Sequence, residues 1–351
     1  MSMYEILEET QQEQEVSGGI DADYILLLSA GPNLFGKKTY DLNLLGASMQ
    51  NWVARACAKK PAIAAEPDED RLLQTIRPLL KDGEFTVVLF SDTPLVTAKG
   101  LSDTLERAAR ENLSVMRLAR GWIFKTEYVK NIETIYASKT YDNISHELLV
   151  VDSIESLEKV QNVLRKRIIR FHEQAGAIVV DPASTYIEAS VAIEPGAVIE
   201  PFVKLEGDTT IGANSKICSN SVISFSRIDE MVIVKNSCNI VGACVRDNAI
   251  VGNNCTILNK SVVGEETRIA AGSIFDGSTT NANCQIGEMC LLKNTKLANN
   301  VTLGDGVKCL GSELSDVKVG SGANVAEGCN LFAGVHIKQD SSVPAGTNVK
   351  G

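Results

Sequence analysis

Residues 187–223, IEASVAIEPGAVIEPFVKLEGDTTIGANSKICSNSVI, return a large aliphatic side chain at every sixth position: Ile187, Ile193, Ile199, Leu205, Ile211, Ile217 and Ile223. Four residues after each of the first six stands something small or β-branched: Val191, Ala197, Val203, Thr209, Ser215 and Ser221. The code resumes as Val245, Val251, Ile257, Val263, Ile269 and Phe275, trailed by Ala249, Cys255, Ser261, Thr267, Ser273 and Thr279. It closes the chain as Val319, Val325, Leu331, Ile337, Val343 and Val349. Helices repeat at 3.6 residues and sandwich strands at two, so a period of six with Gly, Asn and Asp between the aliphatics predicts a parallel β-helix of hexapeptide repeats. Three hexads make one triangular coil of about 18 residues, the aliphatics stack into an apolar column, and roughly nine coils fit in the available length. The register slips between about Arg227 and Cys244, from Thr280 to Leu297, and around Cys309 to Val317. Bulges or loops, and with them ligands, are expected near Ser226, Thr280 and Cys309.

The rest of the 351-residue chain has room for a second core. A formal net charge of −10 argues against nucleic acid or an anionic membrane as partner. No apolar run is long enough to span a membrane and the first residues carry no secretory pattern, so a cytoplasmic location is expected. Of nine cysteines, eight are scattered through the repeats. Cys238 with Cys244, and Cys284 with Cys290, keep the hexad spacing rather than a zinc spacing, which predicts small buried thiols.

Residues 1–20 read as an acidic, Glu- and Gln-rich helical tail. Residues 21–152 alternate strand and helix patterns. Tyr24–Leu28 and Phe85–Phe90 are buried strands, helices are expected at 44–58, from Asp68 (as cap) to Leu80, at 99–111 and at 126–137, and shorter strands at 122–124 and 148–151. In such sheets ligands sit beyond the carboxyl ends of strands, where Gly31, Asp92 and Asp152 fall. Residues 153–180 form a linker headed by a charged helix with an Ile154, Leu157, Val160, Leu164 and Ile168 stripe, and 181–351 are the β-helix. The Arg165-Lys166-Arg167 run reads as a solvated face.

The junction VDSIESLEKVQNVLRKRI, with His172, Gly176, Asp181-Pro182 and Thr185-Tyr186-Ile187, resembles the bifunctional N-acetylglucosamine-1-phosphate uridyltransferase and glucosamine-1-phosphate acetyltransferase family. SDTPLVT at 91–97 is similar to that family's G-D-x-P-L-I segment, and the strand ending in Ala30-Gly31 to its first strand. The resemblance implies a small Rossmann-like nucleotidyltransferase-type domain, a left-handed β-helix and a homotrimer. It implies Mg²⁺ held by Asp92 and Asp152, nucleotide phosphates at Ala30, Gly31 and Lys38, and a sugar phosphate at Lys293 and Asn294 in the β-helix. The implied ligands are a sugar nucleotide or sugar phosphate and acetyl-CoA or another acyl-CoA.

The departures are equally definite. Pro32-Asn33-Leu34-Phe35-Gly36-Lys37-Lys38 replaces the family's Gly-rich phosphate loop, and its longer sugar-binding portion is missing between Asn112 and Trp122. In the β-helix, Gly306–Ser312 lacks the family's base histidine and its tyrosine, which leaves His336 as the candidate catalytic group. Local chemistry offers a second account of the acidic pair, with Asp92 opening a turn before Thr93-Pro94 and Asp152 capping the linker helix. Two functions follow: a divergent transferase of amino-sugar or UDP-N-acetylglucosamine metabolism with degenerate sites, or a non-catalytic trimeric binding or scaffolding protein derived from it.

Overall fold

A computed structural model describes residues 20–29, 33–65, 67–68, 70–135, 139–140, 144–312 and 316–351. The expectations for the tail at 1–19 and for Ala30 and Gly31 lie outside the described residues. Two compact units result, one through Lys166 and one from Arg167 to Gly351.

The first unit is a six-stranded mixed sheet. Its strands are β1 (Ala22–Leu27), β2 (Ala62–Ala64), β3 (Phe85–Phe90), β4 (Val115–Leu118), β5 (Gly121–Lys125) and β6 (Lys139–Thr140), in the order β2-β1-β3-β5-β4-β6. β1 runs parallel to β2 and β3, while β5 is antiparallel to β3 and β4. Every residue of β1 and β3 is buried, as the apolar runs Tyr24–Leu27 and Val87–Phe90 require of strands covered on both faces. One face packs Leu26, Val87 and Leu89 against helices α1 (Met49–Ala56) and α3 (Ala98–Arg110). The other packs Ile25, Val88 and Phe124 against α2 (Leu72–Ile76) and α4 (Thr126–Asn131). Ser48 and Thr97 cap α1 and α3 through their hydroxyls.

Several expectations are corrected here. The helix from Asp68 begins only at Leu72, because Asp68 spends its carboxylate on the Asp70 and Arg71 amides in a turn before it. The helix at 126–137 stops at Asn131, and 148–151 is not a strand. The sheet takes β4 and β2 instead, two short segments whose alternation is too brief to stand out. The linker helix α5 (Ile154–Gln174) buries Leu157, Val160, Leu164 and Ile168 but leaves Ile154 exposed in its first turn. Its cap is Ser153, whose Oγ accepts from Ser156 N, and not Asp152.

The second unit is the parallel β-helix. Strands of two or three residues stack into three parallel sheets of ten, nine and ten strands. The first sheet holds Ile187, Leu205 and Ile223, the second Ile193 and Ile211, the third Ile199 and Ile217, each aliphatic beside its counterpart one coil on. All seven are buried. The corners carry residues with positive φ in vertical files, for instance Gly196, Asn214, Met231, Asn248, Glu266, Asn283, Asn300, Gly322 and Asp340. Asn and Gly predominate because they adopt left-handed backbone at least cost.

The small positions have a hydrogen-bonding role. Ser221 Oγ donates to Lys235 O (3.0 Å) and accepts from Cys238 N (3.2 Å), tying two coils at a corner where strand pairing lapses. Ser215 and Ser273 do the same, and Cys238 and Cys290 thiols donate to Gly252 O and Gly304 O. The thiols are free, seven of the nine are buried, and burial pushes Cys309 up to about 12.

The register slips resolve in two ways. From Ile223 to Ile228, Ile240 to Val245, Phe275 to Thr280 and Leu292 to Leu297 the step is five residues, and the strands stay paired across it. Each shortened step lies at the corner between the first and second sheets, where Phe225, Gly242, Gly277 and Asn294 take positive φ. The interruptions near Ser226 and Thr280 are therefore absorbed in the coils. One consequence is that Ser278, not Thr279, occupies the small interior position, and Thr280 the aliphatic one. Near Cys309 residues are added instead: Leu297 pairs with Val319, and the added residues fall in sequence between Leu310 and Val317. Among the described residues no helix is long and apolar enough to cross a membrane.

Candidate functional site

The carboxyl ends of β1 and β3 meet through Ser29 and Ser91. Ser91 N donates to Leu27 O, and Ser91 Oγ accepts from Ser29 N at 3.0 Å. This join places Asp92 at the strand ends, 3 % exposed, its backbone oxygen accepting from Val151 N. The β4–β5 hairpin turns back at the same level, because Gly121 lies opposite Leu89 at the end of β3. Gly121 has φ 138°, and a Cβ there would sit 2.5 Å from Val88 O, so only glycine lets the hairpin approach so closely.

That approach delivers Arg120. Its guanidinium lies 3.7 Å from the centre of the Phe90 ring and donates through Nη2 to Asp92 Oδ2 (2.8 Å) and through Nε to Asp92 Oδ1 (3.3 Å). Nη2 also donates to Ser29 Oγ at 3.2 Å. Both oxygens of a buried carboxylate are thus engaged by one planar cation, the geometry for which guanidinium is best suited.

Arg120 is also part of the wall of a cleft of about 570 Å³. Arg71 and Arg77 reach it from the α2 region, Arg117 and Trp122 from the hairpin, and Phe90 from the end of β3. Arg77 is tethered to Ile132 O, and Arg117 stands 5.5 Å over the Trp122 ring. Asp70 and Glu133 are its only acidic residues among those described.

The acidic pair named from the sequence is divided in its partners. Asp92 is engaged by Arg120, whereas Asp152 is exposed and accepts from Ser156 Oγ at 3.1 Å. A divalent cation needs carboxylate oxygens free to ligate it. With a guanidinium on both oxygens of Asp92, the donor set in this structure does not fit Mg²⁺. Among the described residues no group of three or more His, Cys, Asp or Glu side chains gathers to hold a metal.

Lys38 is exposed, 5.7 Å over the Tyr40 ring, and does not line the cleft. In the β-helix Lys293 is exposed on the first sheet and Asn294 turns the corner beside it with φ 43°. His336 is exposed on the second sheet, paired in register with Lys318. Within one chain the fold sets these candidates on different sheets. The arginines of the cleft were missed by sequence reasoning. The available signal was Ala119-Arg120-Gly121, a turn between two short apolar runs.

A family model described as bacterial transferase hexapeptide (six repeats) matches residues 185–224. The bifunctional protein GlmU of Acetivibrio thermocellus is 24% identical over 337 residues, covering 77% of this chain and 73% of that protein. That of Streptococcus equi subsp. zooepidemicus is 31% identical over 217 residues, covering 61% of this chain and 46% of its own length. Several relatives are therefore matched over about half their length. Among solved structures, the UDP-N-acetylglucosamine acyltransferase of Francisella novicida aligns at 16% identity and a TM-score of 0.24, covering 46% of this chain and 62% of that one, a likeness too slight to carry weight.

Proposed function

We propose that this chain, a divergent homologue of the GlmU proteins with a hexapeptide-repeat β-helix, recognises a sugar phosphate or sugar nucleotide of amino-sugar metabolism rather than catalysing metal-dependent nucleotidyl transfer. The observation that supports it is the Arg120–Asp92 pair. A nucleotidyltransferase centre uses carboxylates to hold a metal that neutralises the phosphates. Here the guanidinium of Arg120 occupies both oxygens of the carboxylate that would hold the metal. The β-helix serves as the assembly domain, expected as a homotrimer in the cytoplasm.

A second reading is acyl transfer from an acyl-CoA at the β-helix. The exposed His336 beside Lys318 is the observation that favours it, since an imidazole can act as a general base. Release of CoA from acetyl-CoA with formation of N-acetylglucosamine 1-phosphate from glucosamine 1-phosphate, compared between wild type and His336→Gln, tests it. Equal rates in the two exclude the histidine.

Calorimetric titration of the full chain with UDP-N-acetylglucosamine, once with Mg²⁺ and once with a chelator, tests the main reading. The expected outcome is the same binding heat in both, with no UDP-N-acetylglucosamine formed from UTP and N-acetylglucosamine 1-phosphate. Binding and turnover that both require Mg²⁺ would restore the transferase, and absence of heat throughout would leave a scaffold. Light scattering on the same sample reads the expected trimer.

A further inference from the structure

We infer that the cleft lined by Arg71, Arg77, Arg117 and Arg120 is a phosphate-binding site that takes a phosphomonoester or diphosphate group through guanidinium alone, without a divalent cation. This deepens the ligand-recognition reading and rests on it for the identity of the organic part of the ligand.

The convergence of guanidinium groups carries the argument. Four arginines line one cleft; Arg120 pairs with Asp92, Arg71 lies 3.9 Å from Asp68, and Asp70 and Glu133 stand among the lining residues. Planar guanidinium forks that meet in a concavity can take phosphate oxygens in pairs, and the walls focus the field there. The four do not come from one surface strip. Two belong to the α2 region, and Arg117 and Arg120 to the hairpin, so the fold converges them.

Their anchoring points the same way. Arg120 is held by Asp92, Ser29 and the Phe90 ring, Arg77 by Ile132 O, and Arg117 by the Trp122 face. Charges fixed in advance lose little side-chain entropy on binding, and their planar forks match phosphate oxygens in pairs. The volume suits a small molecule, and Phe90, Leu118 and Trp122 give its organic part an apolar wall. The cleft adjoins the end of β3, where ligands of such sheets settle. With the guanidinium of Arg120 already on Asp92, that carboxylate is not vacant for a cation.

The test is calorimetry on the full chain at low salt in the presence of a chelator, with inorganic pyrophosphate, N-acetylglucosamine 1-phosphate and UDP-N-acetylglucosamine as probes. Arg71 and Arg117 are exposed, so Arg71→Gln and Arg117→Gln leave the core intact, and Arg110→Gln on α3, away from the cleft, is the control. Wild type and control are expected to bind pyrophosphate equally. Each cleft variant should weaken it about tenfold and the double variant about a hundredfold, the scale of one lost charge-assisted contact per substitution. Pyrophosphate binding that needs Mg²⁺, that is absent, or that ignores both substitutions overturns the inference. If pyrophosphate binds as expected and neither amino-sugar probe does, the phosphate site stands and the amino-sugar reading falls. If UDP-N-acetylglucosamine binds equally well to wild type and the double variant, that reading stands and the cleft is not its site.

Discussion

Asp92 and Arg120 hold each other in a place where neither is tolerated alone. Asp92 is 3 % exposed and Arg120 about a quarter exposed, so removing one partner leaves a desolvated charge without compensation. Asp92→Leu or Arg120→Met is expected to cost roughly 3 kcal/mol in a urea melt, the low end for a buried pair because Arg120 still reaches water, and the double variant to recover part of that loss. Equal losses that simply add would show that the pair does not interact. His172 is the other residue with a sharp consequence. It is fully buried on α5, edge-on to Phe171 at 5.1 Å, and among the described residues neither ring nitrogen has a hydrogen-bond partner. Burial lowers its pKa from 6.5 to about 4. The unfolded chain therefore takes up this proton first. The neutral imidazole contributes its full share of stability above pH 6.5, and that share declines as pH falls toward 4, by roughly 3 kcal/mol in all. His172→Leu should flatten the slope of stability against pH between 6.5 and 5 relative to wild type. An unchanged slope would place the dependence elsewhere.

At the scale of the element, the β-helix is held by more than its aliphatic columns. The sequence marks a small residue four places after each aliphatic. The structure adds that its hydroxyl or thiol bonds the next coil's backbone at the corners. Ser221→Ala is expected to cost about 1–3 kcal/mol by stranding Cys238 N and Lys235 O, whereas Ser221→Cys, which retains a donor as Cys238 does one coil on, should cost less. Thermal melts of the two variants check the order, and a harmless alanine would mean that the size of the side chain alone matters. The same principle explains Ser153. Its hydroxyl accepts from Ser156 N at the head of α5, so Ser153→Ala should lose about 1 kcal/mol. Asp152→Asn should change stability little, because Asp152 is exposed and is not the cap.

For the whole molecule, the contacts that hold each coil are to the coil before and the coil after, 17 or 18 residues away for most of its length. Stability of such stacks is close to a sum of neighbouring interfaces. A fragment beginning at Ser153 is expected to fold by itself, with a β-type circular dichroism spectrum and a cooperative melt. A fragment without one would show that the β-helix needs the α/β unit. This locality is also why the β-helix was legible in the amino-acid sequence. Each hexad repeats the same inward position, so a one-dimensional pattern is already the three-dimensional core, and the buried strands β1 and β3 announced themselves likewise through the apolar runs Tyr24–Leu27 and Val87–Phe90. The shortened corners were visible only as slips, since whether a missing residue bulges or is absorbed depends on the coils above and below. The site was the least legible part. Asp92 could be named from its place after a strand, but its partner Arg120 lies 28 residues away and touches Ser29, 91 residues away. Periodicity determined the architecture because its interactions recur at fixed short spacing. The tertiary structure alone decided the arginine cleft and the partner of Asp92, because these depend on single contacts between distant segments, which no repeat encodes.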